Sequence, residues 1–354
     1  MANKLAEFKP TIFSGSKLNG GDIRLSLSEN PYRCSPKAFE ALYSEIANVH
    51  CYPDADYLEL RTEIANRYRL DPEAVFLGNG TDELIFLTAL LANRERPNVV
   101  TTEKTFGGYK YSAILANRSL VECPIDERTV RSLCESVDEH TAMVFLCNPH
   151  NPSGTFIPPG DLWPLAEACE RYGALLVLDE AYIEYTEKEQ ASAEIVKRHD
   201  NALILRTFSK AYGLAGLRCG YALSNNRNLK AIQSSRNALP YNLNRLASAA
   251  ALAAFRDREH LKHVVRRNDE IKQWFCTALE ELGIPYIPSS ANFVTIRMEN
   301  SADFVERMYR QFKIAIRDLS GFGYRNHIRI SFGTREQMNR VAEAFKMLTM
   351  GERV

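Results

Sequence analysis

Between residues 75 and 223 the chain repeats one pattern, a short and almost wholly apolar run followed by a segment with helical spacing. The runs cover residues 75–77, 99–102, 120–123, 142–147, 175–178, 203–207 and 219–223. Between them, residues 81–92, 129–137 and 161–172 place apolar side chains three and four apart, the period of a helix with one buried face. A strand that is apolar at nearly every position is covered on both faces, and the intervening helices supply the cover. The pattern predicts an α/β fold built on a mostly parallel seven-stranded sheet. Helical spacing continues over residues 243–282, and a smaller α/β pattern with strands at 293–297 and 328–331 runs to the end. The simplest division is a large domain of residues 38–265 and a small α/β domain of residues 1–37 with 266–354.

Lysine plus arginine (44) balances aspartate plus glutamate (44), so no net field draws the chain to nucleic acid or an anionic membrane. Any anionic ligand must be held by locally placed groups. No apolar run approaches a membrane span, and the N-terminal residues lack the apolar core of a signal peptide. The eight cysteines contain no C-x-x-C pair, and Cys147 and Cys219 sit inside apolar runs, as reduced thiols do. A reducing cytoplasm fits this usage. His260 and His263 share a helix face among charged residues, so no metal site is expected.

In parallel sheets ligands bind beyond the carboxyl ends of the strands, so the residues after each run carry the chemistry. After residue 77 comes Gly78-Asn79-Gly80-Thr81-Asp82-Glu83 and then an apolar helix. Thr81 or Asp82 can cap that helix, and its free N–H groups can hold a phosphate. Glu83 stands where a dinucleotide fingerprint needs a glycine. After residue 147 comes Asn148-Pro149-His150-Asn151-Pro152, in which two prolines stiffen the loop and hold Asn151 in one pose. Asp179 follows the next run with Tyr182 three residues on, a carboxylate and a phenol at one mouth. A pyridine ring needs that pair, the carboxylate to keep its nitrogen protonated and the phenol to bond a ring hydroxyl. Lys210 lies between an apolar run and a Gly/Ala/Leu stretch, in a sheltered crevice that would free its amine as a Schiff-base nucleophile. Thr207, Ser209 and Arg218 beside it suit a phosphate. Each feature alone has a plainer reading as a cap, a turn or a surface charge.

Together with Leu27-Ser28-Glu29-Asn30-Pro31-Tyr32, Tyr52-Pro53-Asp54 and Ile328-Arg329-Ile330-Ser331, these segments keep a specific order and spacing. The sequence resembles the fold-type I enzymes that use pyridoxal 5'-phosphate (PLP), in the aminotransferase class I/II group, and within it the histidinol-phosphate aminotransferases. The resemblance implies PLP as cofactor and Lys210, Asp179 and Tyr182 as catalytic residues, with Lys210 bonded to the cofactor. It places Gly80, Thr81, Asp82, Thr207, Ser209 and Arg218 at the cofactor phosphate, Asn151 near the ring hydroxyl and Phe106 on the ring face. Tyr52 would reach the phosphate of a neighbouring subunit, which implies a homodimer with shared sites. Arg329 and Arg317 would bind the substrate anion, with Asn30 and Asn151 also at the substrate. Two guanidiniums suit a phosphate dianion better than a carboxylate, and a surface ion pair with Asp318 is the plainer reading of Arg317.

The activity implied is transfer of the amino group of histidinol phosphate to 2-oxoglutarate, a step of histidine biosynthesis. The alternatives are an aromatic or other amino-acid donor, a threonine-phosphate-type PLP decarboxylase, and a non-catalytic binding protein. The chain departs from its relatives at Arg33 and Cys34, at Lys104 where a proline is usual, and over residues 9–14, which hold no tyrosine for the substrate phosphate.

Overall fold

The computed structural model describes residues 21–225, Ser234 and 238–350, the side chain of Met350 excepted. The segment 9–14 lies outside the described residues. The strands in chain order are β1 (Ile23–Arg24), β2 (Val75–Gly78), β3 (Asn98–Thr102), β4 (Ser119–Cys123), β5 (Thr141–Cys147), β6 (Leu175–Asp179), β7 (Ala202–Thr207) and β8 (Gly220–Leu223). They are followed by β9 (Tyr286–Ile287), β10 (Phe293–Arg297), β11 (Ile314–Ala315), β12 (Arg317–Asp318) and β13 (His327–Ser331).

Seven strands form one sheet in the order β2-β8-β7-β6-β5-β3-β4. The pairs β3/β4, β3/β5, β5/β6 and β6/β7 are parallel, and β8 runs antiparallel to both β2 and β7. The mostly parallel seven-stranded sheet is as the apolar runs predict. The reversal at β8 has a local cause. The β7–β8 connection holds only the 3-10 turn Ala215–Leu217, and without a crossover helix the chain returns antiparallel beside β7.

Alternation along each strand divides the core. On β5, Val144 and Leu146 join a cluster on one face, while Met143, Phe145 and Cys147 join another on the opposite face. Both faces are buried, which is why the strands read as continuous apolar runs. The expected long helix over 243–282 is two helices, Arg245–Arg256 and Arg258–Glu281. They break at Asp257, whose ψ of 70° leaves the helical region.

The second sheet, β12-β13-β10-β9, is antiparallel, and β1 pairs in parallel with β11. Its core, with Ile23, Val294, Ile330 and Phe345, is separate from the large one. The helix Arg258–Glu281 serves both, giving Leu261 to the large core and Ile271, Phe275 and Leu279 to the small one. Among the described residues no helix is long and apolar enough to cross a membrane.

Candidate active site

The carboxyl ends of β5, β6 and β7 open into a cavity of about 880 Å³ that reaches β12 and β13. Thr81, Asp82, Phe106, Asn151, Asp179, Tyr182, Thr207, Ser209, Lys210, Arg218, Arg317 and Arg329 all line it. Gly80, Asn30 and Tyr52 do not.

At the floor, Asp179 sits on the same sheet face as Cys147, its partner in register on β5. Burial raises the Asp179 carboxyl to about 6, against a hydrogen bond from Tyr109 that favours the charged form. Tyr182 is buried next to it, and desolvation lifts its phenol to about 12, so it stays a donor at neutral pH. The Tyr182 ring lies 5.6 Å from Lys210 Nζ.

Lys210 follows β7, and its ammonium donates to the Leu27 carbonyl at 3.1 Å. What surface it keeps belongs to the cavity wall. Burial first, and the charge of Arg329 second, lower its amine to about 8. A lysine in this state has an appreciable neutral fraction near pH 7, as a nucleophile requires.

Another part of the cavity wall has the groups that suit an anion. The helix Gly80–Leu91 starts at its edge and presents the N–H groups of its first turn. Arg218 pairs with Asp82 there and donates to Ser209 Oγ at 3.4 Å. Two glycines permit this approach. Gly80 has φ +78°, and a Cβ on it would meet Arg218 Nη2 at 2.7 Å; one on Gly220 would meet the Thr81 nitrogen at 2.8 Å.

Arg317 and Arg329 are directly opposed across the β12/β13 ladder. Such partners place their side chains on one sheet face, about 5 Å apart at Cβ. Arg329 donates to Asn151 Oδ1 and the Ser26 carbonyl, both uncharged, and its buried Nε has no partner. Burial and then the Arg329 charge lower the Arg317 guanidinium to about 10. The loop bearing Asn151 is tied to this second sheet, because Thr295 Oγ1 donates to the Pro152 carbonyl at 2.6 Å.

The three residues off the wall have clear positions. Asn30 is held by backbone, donating to the Ala211 carbonyl at 2.9 Å and accepting from the Tyr32 N–H at 2.8 Å. Gly80 makes room for Arg218. Tyr52 is 77% exposed and stacks on Tyr241 at 4.6 Å between centroids. Among the residues around Asp179, sequence reading missed Cys147, which lines the cavity, and Tyr109, which lies behind the wall and donates to Asp179.

A buried carboxylate, an aromatic wall, a lysine held partly neutral and an anion cradle fit a phosphorylated pyridine aldehyde. The family model for aminotransferase class I and II matches residues 21–345. The chain belongs to the class I and II aminotransferases. Within these aminotransferases, histidinol-phosphate aminotransferase of Bacillus licheniformis is 37% identical over 325 residues, 89% of this chain and 88% of that one. The Brevibacillus brevis enzyme of the same name is 32% identical over 333 residues, 93% of this chain and 91% of its own. Among solved structures, histidinol-phosphate aminotransferase from Sinorhizobium meliloti in complex with pyridoxal-5'-phosphate superposes with a TM-score of 0.84 at 28% identity, covering 94% of this chain and 91% of that one.

Proposed function

We propose that this aminotransferase binds PLP and takes its amino group from a phosphorylated donor, L-histidinol phosphate, with 2-oxoglutarate as acceptor. The observation that carries the donor is the opposed pair Arg317 and Arg329 on the cavity wall. Like charges directly opposite each other destabilise a ladder, and a bound dianion turns that repulsion into two charge-assisted contacts. The relatives named above are called histidinol-phosphate aminotransferases, which supports the donor, and no observation favours a decarboxylase or a non-catalytic reading.

When bound, PLP supplies an aldehyde and a protonated ring that stores the electrons released as the donor's Cα proton leaves. Lys210 Nζ would hold the cofactor and would serve as the base that carries the donor's Cα proton. The Asp179 carboxylate would keep a proton on the ring nitrogen, and Tyr182 would offer its hydroxyl to the ring hydroxyl. Phe106 supplies an aromatic face, and Thr81, Thr207, Ser209 and Arg218 hold the cofactor phosphate.

The proposal includes the division into residues 38–265 and 1–37 with 266–354, supported by the two separate cores. It also includes a homodimer with shared sites. Phe39, Tyr43 and Ile46 follow one another at four and three residues and are exposed, as are Val49 and Tyr52. An apolar stripe of this kind supports a contact surface, from which Tyr52 would reach out of its own chain.

The test mixes purified protein with PLP and L-histidinol phosphate and follows the cofactor's visible absorbance. A change on adding the donor, reversed by 2-oxoglutarate, is the expected result. Bound cofactor that ignores this donor would overturn the substrate, and failure to bind PLP would overturn the cofactor.

A further inference from the structure

Tyr109 has no role in the chemistry above, yet it is the side chain most intimately joined to Asp179. It lies on the helix Gly107–Leu115, which begins immediately after Phe106. Its hydroxyl donates to Asp179 Oδ2 at 2.6 Å, and the pair is buried. Its ring stacks on Phe145 at 5.0 Å, with 10° between planes, and meets Phe106 edge-on at 5.6 Å. The stack fixes where the hydroxyl points. The other carboxylate oxygen accepts from the Ala181 N–H at 3.2 Å.

We propose that Tyr109 is a positioning residue for Asp179: its hydroxyl holds the carboxylate in one orientation and in its ionised form. This inference rests on reading the cavity as a PLP site. An ionised oxygen accepts more than one hydrogen bond, so Oδ2 can accept from Tyr109 and still face a protonated ring nitrogen. A neutral carboxyl there would present a proton to a proton. The groups facing Asp179 are Tyr109, Cys147 on β5, Tyr182, Asp82 on the helix Gly80–Leu91, and the adjacent Glu180. Asp82 and Glu180 work against ionisation, as does burial, whereas Tyr109 and the Ala181 N–H favour it. Burial and the Asp179 charge push the Tyr109 phenol well above its usual range, so it remains a donor throughout the working pH. The same ring braces Phe106, so one side chain sets both the edge and the face presented to the cofactor.

The experiment compares wild type with Tyr109→Phe, which keeps the stacked ring and removes only the donor. PLP affinity is measured by titrating the apoenzyme and following absorbance, and kcat, KM and the pH profile by transamination. Affinity should fall about tenfold or more, the effect of removing one hydrogen bond to a charged group. The fall in kcat should exceed any change in donor KM, and the acid limb of the profile should move to higher pH. In an Asp179→Asn background the same substitution should cost much less affinity, because the asparagine accepts only a neutral hydrogen bond. Unchanged affinity and acid limb in Tyr109→Phe, or an equal loss in the Asp179→Asn background, would overturn the proposal. A wild-type protein that takes up no PLP would overturn the cofactor reading instead, which keeps the two failures apart.

Discussion

The rate at which the apoenzyme captures PLP covalently should rise with pH through about 8 and then stop rising. The perturbation is pH alone, and the group is Lys210, lowered from 10.5 to about 8 by burial and by Arg329. Only the neutral amine attacks an aldehyde, and a lowered midpoint means the proton is lost at lower pH. At pH 7 about one Lys210 in ten is then neutral, against roughly one in 3,000 for an unperturbed lysine. Between pH 7 and pH 9 the neutral fraction should climb about tenfold and level off. An ordinary lysine would climb nearly a hundredfold over the same interval and keep climbing. The assay is stopped-flow absorbance after mixing apoenzyme with PLP, with the aldehyde's own titration divided out using a free lysine derivative. A rate still rising steeply beyond pH 9 would refute the reasoning, because it would put Lys210 in contact with bulk water. Lys210→Ala should lose covalent capture and turnover together.

Arg317→Ala should raise KM for a phosphorylated donor about 10- to 100-fold, the effect of losing a charge-assisted contact, while a donor without the phosphate is little affected in steady-state kinetics. Gly80→Ala forces a side chain into φ +78° and drives its Cβ toward Arg218, so thermal unfolding should show a loss of about 1–2 kcal/mol and PLP titration a weaker complex. Tyr43→Asp, on the exposed apolar stripe, should convert a dimer to monomer in light scattering and weaken PLP binding with it, since Tyr52 would lose its neighbour.

Most of the cavity was legible because a parallel sheet concentrates chemistry at its strand ends. Asp179, Lys210 and Asn151 each stand at or within a few residues of an apolar run's end, and the fold brings all three to one wall. The direction of β8 was not legible, since an apolar run reads the same from either end. Nor was the opposition of Arg317 to Arg329. It depends on register between short strands, and two-residue β12 has no periodicity to read. Tyr109 was hidden for another reason. Its partner Asp179 is 70 residues away, and buried hydrogen bonds over such distances leave no local pattern. Asn30 stands off the cavity wall with its amide bonded to two backbone groups, contacts that a motif cannot display.

The opposed arginines on β12 and β13 set heat resistance against purpose. Two like charges face to face cost a ladder up to about 1 kcal/mol, and a β-branched or aromatic residue at position 317 would relieve it. Variants selected only for surviving higher temperature should therefore drift away from Arg317, since sites tuned for function are poorly tuned for stability. The first capacity such a lineage would surrender is its hold on a doubly charged substrate. The hydrophobic sheet and the lysine behind it would carry on unaltered, leaving a sturdier catalyst with a broader and less discriminating appetite.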